Sequence, residues 1–165
     1  MATQLKNLSD FSNTTIPSGA PYRFGIVVAE WNAKITGALY GGAYQSLIDN
    51  GVLADNIFTY AVPGSFELTS GADILLKNKN LDGVICLGCV IQGETRHFDF
   101  ICAAVANGAT NVALKYEKPV IFGVLTTDNE QQAIDRAGGK HGNKGVEAAV
   151  TAIKMADMAA QLKND

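Results

Sequence analysis

Apolar and polar positions follow two rhythms along this chain, and the rhythms take turns. "RFGIVVAE" (23–30) is a nearly unbroken apolar run, as expected of a strand buried on both faces. "NAKITGALYGGAYQSLIDNG" (32–51) instead sets Ile35, Leu39, Ala43 and Leu47 four residues apart and stops at Gly51, which predicts a helix with a glycine end. Its Gly41-Gly42 pair lowers helix propensity by ~1 kcal/mol per residue unless close packing compensates. The alternation then repeats. "IFTYAV" (57–62) predicts a strand stopped by Pro63-Gly64, and "SFELTSGADILLKN" (65–78) a helix. "DGVICLGCVI" (82–91) and "PVIFGVLTT" (119–127) predict two more strands, with a long helix between them over 98–116. "DNEQQAIDRAG" (128–138) opens on Asp128 as an expected N-cap, and a final helix is expected over 146–162.

Strands alternating with helices through short connections predict an α/β domain with a parallel sheet covered on both faces. Residues 1–22 are polar, rich in Ser, Thr and Asn, and carry Pro17 and Pro21. They read as an arm without a core of its own, docking on a neighbour as an extended segment, with a single domain over 23–165. Ligands of such sheets bind beyond the carboxyl ends of the strands. That rule singles out "AEWN" (29–32), "VPGSFE" (62–67), "VIQGETRH" (90–97) and "GVLTTDN" (123–129).

Composition narrows the function classes. The chain has 165 residues, 47% of them hydrophobic and only 18% charged. So little charge predicts that much of the surface lies against other subunits. The net charge of −3 with no basic block argues against nucleic acid as a partner. No apolar stretch approaches the ~18 residues of a membrane span, and no signal-like segment opens the chain. Three cysteines, an odd number, suggest reduced thiols in the cytoplasm rather than a disulfide frame.

Cys86, Cys89, His97 and Cys102 offer zinc-like ligand types. A zinc knuckle needs a turn between its first two cysteines. Here they lie inside a predicted strand, where positions three apart face opposite ways, so no metal is expected. A redox pair needs its first cysteine at a helix N-terminus, and Cys86 is mid-strand. The remaining reading makes "GETRHFDF" a strand-to-helix turn. Gly93 would let a ligand approach the backbone, the Glu94 and Thr95 amides would face an anion, and His97 would move protons near neutral pH. A capping or merely exposed His97 fits the spacing equally well. Trp31-Asn32 could stack on a planar ring and bond its edge, or pack at a subunit contact. Glu67 could take ligand hydroxyls, or simply suit the first turn of a helix. Arg136, ahead of "AGGKHGNKG", would suit a phosphate or be a solvated helix end. His141, with no partner nearby in sequence, reads as surface.

Taken together, "IVVAEWNAKIT", "VPGSFEL", "LGCVIQGETRHFDFI" and "PVIFGVLTTDNEQQAIDRAGGKHGNKGVEAA" resemble the lumazine synthase (6,7-dimethyl-8-ribityllumazine synthase) family of riboflavin biosynthesis over about residues 20–160. The resemblance implies a flavodoxin-like three-layer sandwich with a four-stranded parallel sheet and an N-terminal strand that joins a neighbouring subunit. It implies condensation of 5-amino-6-(D-ribitylamino)uracil with 3,4-dihydroxy-2-butanone 4-phosphate, releasing phosphate and water, with no cofactor. It implies that Trp31 stacks on the pyrimidine, where the family usually has Phe. Ser65, Phe66 and Glu67 match its "[AS]FE" element, with Glu67 on the ribityl hydroxyls. Cys89, where Thr is common, Val90 and Ile91 would line the ring and ribityl site through backbone groups. Glu94 and Thr95 would hold the phosphate through amides, and His97 would transfer protons. Gln92 stands where Arg is frequent, with Arg96 as a possible substitute. Phe122, Arg136 and Lys144 would come from an adjacent subunit.

The resemblance further implies pentamers with sites between neighbours, a sixty-subunit shell since "GGKHGNKGVE" carries no insertion, and riboflavin synthase as a partner. Three rival readings stand beside it. One is a non-catalytic flavin- or phosphate-binding module of this fold, and another a structural shell protein. The third, an archaeal-type riboflavin synthase, is opposed by "GETRHFD".

Overall fold

A computed structural model describes residues 7–163, so the first six residues of the expected arm lie outside it. The apolar runs become β1 (Phe24–Ala29), β2 (Ile57–Val62), β3 (Gly83–Ile91) and β4 (Val120–Thr127). They form one parallel sheet of order β2-β1-β3-β4, the flavodoxin-like arrangement expected. α1 (Ala33–Asp49), α2 (Leu68–Asn78) and α3 (His97–Tyr116) follow the first three strands. After β4 come α4 (Glu130–Arg136), a short antiparallel ribbon of β5 (Ala137–Gly139) and β6 (Gly142–Asn143), and α5 (Lys144–Gln161).

Strand periodicity sorts the core into two layers. Phe24, Ile26, Ile85, Leu87 and Leu125 pack under α1, α4 and α5, against Leu39, Leu47, Ala133 and Ile153. Val27, Val84, Cys86 and Val124 pack under α2 and α3, against Leu68, Ala72, Val105 and Val112. β1 and β3 are the inner strands, and both are almost wholly buried. β2 is an edge whose Thr59, Tyr60 and Ala61 are exposed.

Three boundaries differ from expectation, each for a local reason. Asn129, not Asp128, caps α4: its side chain accepts from the Gln132 amide at 3.0 Å, while the Asp128 amide donates to the Gln132 side chain. Ser65–Glu67 is a separate 3-10 turn ahead of α2. It presses so close to β3 that a Cβ on Gly88 would lie 2.7 Å from the Ser65 hydroxyl. The last helix begins at Lys144, two residues early, because the Asn143 side chain accepts from the Gly145 amide at 2.8 Å. The Asn143 amide group also reaches the Ala38 carbonyl at 2.9 Å and sits against Gly42 of α1. Close packing thus offsets the helix penalty at Gly42 but not at Gly41, which faces open space.

Residues 7–22 form no strand or helix. They run over the chain's own α1–α5 side: Ser9 accepts from the Asn143 amide, the Gly19 amide donates to Asn50, and the Tyr22 hydroxyl donates to Asp157 at 2.9 Å. Among the described residues, no helix is long and apolar enough to cross a membrane.

Candidate active site

The carboxyl ends of β1, β2 and β3 surround an open cavity of about 660 Å³. Its walls are Trp31 and Asn32 after β1, Gly64 to Glu67 after β2, Cys89 to Ile91 at the end of β3, and His97 with Ile101 on α3. The volume suits a small organic molecule. Eight of the expected site residues meet here: Trp31, Ser65, Phe66, Glu67, Cys89, Val90, Ile91 and His97. Asn32, Gly64 and Ile101 join them. Ile101 sits one helical turn beyond His97, so its presence was legible from spacing once His97 was placed at the start of α3.

The first wall is shaped by backbone ties. The Glu30 amide donates to the Val62 carbonyl at 2.8 Å and the Trp31 amide to the Pro63 carbonyl at 3.2 Å. Asn32 has left-handed backbone angles, φ 61° and ψ 44°. Its side chain does not cap α1; it donates to the Cys89 carbonyl at 2.9 Å. Trp31 is left 74% exposed and Phe66 55% exposed, both bordering the cavity.

The β3–α3 turn is open. A Cβ at Gly93 would touch nothing within 4 Å, leaving room for a ligand to approach. The amides of Glu94 and Thr95 have no acceptor among the described residues. Gln92 folds its side chain onto the Gly93 carbonyl at 2.7 Å. Arg96 is turned to Asp99 at 3.5 Å with 86% of its side chain exposed, so within the chain it does not stand in for the charge missing at Gln92. The His97 amide donates to the Thr95 hydroxyl at 3.4 Å. The His97 side chain is exposed at the cavity wall, and its imidazole has no hydrogen-bond partner among the described residues.

The cysteines lie where strand geometry puts them. Cys86 is in the layer under α2 and α3, Cys89 in the layer under α1 and α5. Burial pushes the Cys86 thiol up to about 12 and the Cys89 thiol up to about 11. Both are thiols at neutral pH, poorly suited to redox exchange. Burial, and then the Asp99 charge, also raise Cys102.

Glu94 and Thr95, on the open turn, do not line the cavity, and Phe122, Arg136 and Lys144 lie elsewhere. Phe122 on β4 lines a separate groove with Ala109, Ala113 and Leu114 of α3. Arg136 is not a solvated helix end. Its guanidinium donates to Glu147 at 2.6 Å and to the His141 carbonyl at 2.7 Å. Lys144 reaches the other Glu147 oxygen at 3.2 Å, so one carboxylate holds both cations. The Arg136 and Glu147 side chains are 17% and 15% exposed. Glu147 was overlooked in the sequence, although it lies one turn from Lys144 on the same helix face. His141 is only partly exposed. Beside it, Lys140 and then Gln131 hydrogen-bond to Asp135 and hold its carboxyl below the usual range.

A model of the family described as 6,7-dimethyl-8-ribityllumazine synthase matches residues 21–160. A protein of that name from Cytophaga hutchinsonii is 62% identical over 155 residues, covering 94% of this chain and 97% of the relative. Its namesake from Flavobacterium johnsoniae is 56% identical over 156 residues (94% of this chain, 82% of the relative), and that from Parabacteroides distasonis 53% identical over 160 residues (97% and 100%).

Proposed function

The chain belongs to the 6,7-dimethyl-8-ribityllumazine synthase family, and we propose that its strand-end cavity is where the condensation of that enzyme takes place. The protein is a transferase of riboflavin biosynthesis. It joins 5-amino-6-(D-ribitylamino)uracil to 3,4-dihydroxy-2-butanone 4-phosphate through an imine, elimination of phosphate, ring closure and loss of water. The observation that carries the assignment to this cavity is the convergence of Trp31, Glu67, the end of β3 and His97 on one volume.

The residues divide the work by chemistry. Trp31 offers a flat face to the pyrimidine and Phe66 an apolar border. Glu67, with no cation paired to it among the described residues, accepts from the ribityl hydroxyls, and Ser65 stands beside it. Val90 and Ile91 line the ring with backbone and apolar atoms. Cys89 lines the wall beside them, its carbonyl accepting from Asn32. The free amides of Glu94 and Thr95 hold the phosphate. The bare imidazole of His97 moves protons on and off the condensing amine and ketone. Both reacting groups are intrinsically reactive, so holding them together is the larger part of the catalysis, worth roughly 7–11 kcal/mol.

The cavity is completed by an adjacent subunit, which supplies Phe122, Arg136 and Lys144. None of the three lines the His97 cavity within one chain, which supports this, as does the exposed apolar rim of Trp31 and Phe66. The assembly is a pentamer, extending to a sixty-subunit shell, since the link from α4 to α5 is a short ribbon. In it the arm (1–22) leaves its own α1–α5 side, where residues 7–22 lie in the single chain, and adds a strand at the open β2 edge of a neighbour's domain (23–165). The location is the cytoplasm, and riboflavin synthase, which consumes the product, is the partner. The relatives are named as synthases, which disfavours a non-catalytic binding module or shell protein. The purified protein mixed with both substrates is expected to accelerate lumazine fluorescence and phosphate release in parallel. A rate no faster than the spontaneous background refutes the catalytic reading.

A further inference from the structure

We infer that Asn32 is a positioning residue: its left-handed backbone and its amide bond to Cys89 set the plane of Trp31 across the cavity. Asparagine before a helix is ordinarily explained as an N-cap, with extended angles and a side-chain oxygen on the second or third amide. Neither feature is present. The backbone sits at φ 61° and ψ 44°, and the side chain makes no bond to the amides of α1. Only the Asn32 carbonyl serves the helix, accepting from the Ile35 and Thr36 amides at 2.8 and 3.0 Å.

The left-handed region is disfavoured for residues with a side chain, asparagine being among the more tolerant. Such a conformation persists where surrounding bonds hold it, and it concentrates at functional sites. Here the bonds are three. Glu30 and Trp31 amides fasten the turn to the end of β2, and the Asn32 amide group fastens it to the end of β3. The reversal at Asn32 leaves the Trp31 ring on the cavity rim, 74% exposed, instead of folding it into the sheet layers. Within the chain, a ring in so open a position is held in orientation chiefly by its backbone.

The inference rests on Trp31 being the stacking wall for the pyrimidine, and the test separates the two ideas. Asn32→Gly keeps a residue at ease in the left-handed region while deleting the amide. Asn32→Asp keeps size and backbone tolerance but sets a carboxylate against the Cys89 carbonyl. Trp31 is the chain's single tryptophan, so its emission reports this residue alone.

In the assembled Gly variant the KM for the pyrimidine is expected to rise roughly 2- to 12-fold, the range of one hydrogen bond. The rise is expected to be larger for Asp. The kcat and the KM for the butanone phosphate should change by less than about twofold in the Gly variant. Trp31 anisotropy in the substrate-free protein should fall in both. An unchanged pyrimidine KM with unchanged anisotropy overturns the inference. So does an equal loss for both substrates accompanied by loss of the assembled species on sedimentation, which marks a merely structural residue. If the parent protein itself fails to turn over, the assignment of function falls, and the anisotropy alone still decides Asn32.

Discussion

In the site as proposed, His97 and Arg136 contribute in two different ways. His97 stands at the cavity wall with an unbonded imidazole, able to give or take a proton but not needed to hold either substrate. Arg136 is held by Glu147 and the His141 carbonyl, so its direction is set within its own chain. His97→Ala is therefore expected to slow turnover by roughly 10²- to 10⁴-fold without abolishing it. Arg136→Ala should reduce kcat/KM further, mainly through the KM of the phosphate substrate. Steady-state assays on both variants check this, and a folded, assembled His97→Ala protein with no turnover at all contradicts it. Most of the cavity's lining was legible as sequence because it follows one rule, the carboxyl ends of parallel strands. Asn32 and Glu147 were not legible in their roles. One depends on a backbone angle that many asparagines never adopt. The other depends on a pairing across eleven residues that the β5–β6 ribbon brings together.

At the level of elements, α1 shows how the same residue type serves opposite ends. A methyl on Gly42 would sit 2.6 Å from the Asn143 side chain, which both caps α5 and bonds α1. A methyl on Gly41 meets nothing. Gly42→Ala is expected to destabilise by about 1–3 kcal/mol through overpacking. Gly41→Ala is expected to stabilise by about 0.5–1 kcal/mol through helix propensity. Thermal midpoints moving in opposite directions check the pair, and two shifts of the same sign contradict it. The strands and long helices were readable from periodicity because each is buried along a continuous face. The errors sit at junctions: the Asn129 cap, the 3-10 turn at Ser65 and the early start of α5. There the deciding bonds are local side-chain acceptors and close contacts with β3 and α1, which periodicity does not encode.

For the whole molecule, the proposed division of the site between neighbours leads to a mixing experiment. His97→Ala and Arg136→Ala chains, each impaired alone, are co-expressed and allowed to assemble at random. About one quarter of the interfaces then unite an intact His97 with an intact Arg136 from the next subunit. Activity of the mixed assembly is expected to recover toward that fraction of the unaltered protein. No recovery, with mixed assembly verified by mass, shows that both residues act within one chain. The tie between Asn32 and Cys89 has a temporal meaning as well. It closes a span of 57 residues, so it cannot form until β3 has been synthesised and seated beside β1. Bringing together ends so far apart is slow compared with local helix formation. The aromatic wall thus acquires its orientation late in folding. A nascent chain ending before Cys89 would carry Trp31 and a rudimentary first strand, yet nothing with the shape to retain a substrate.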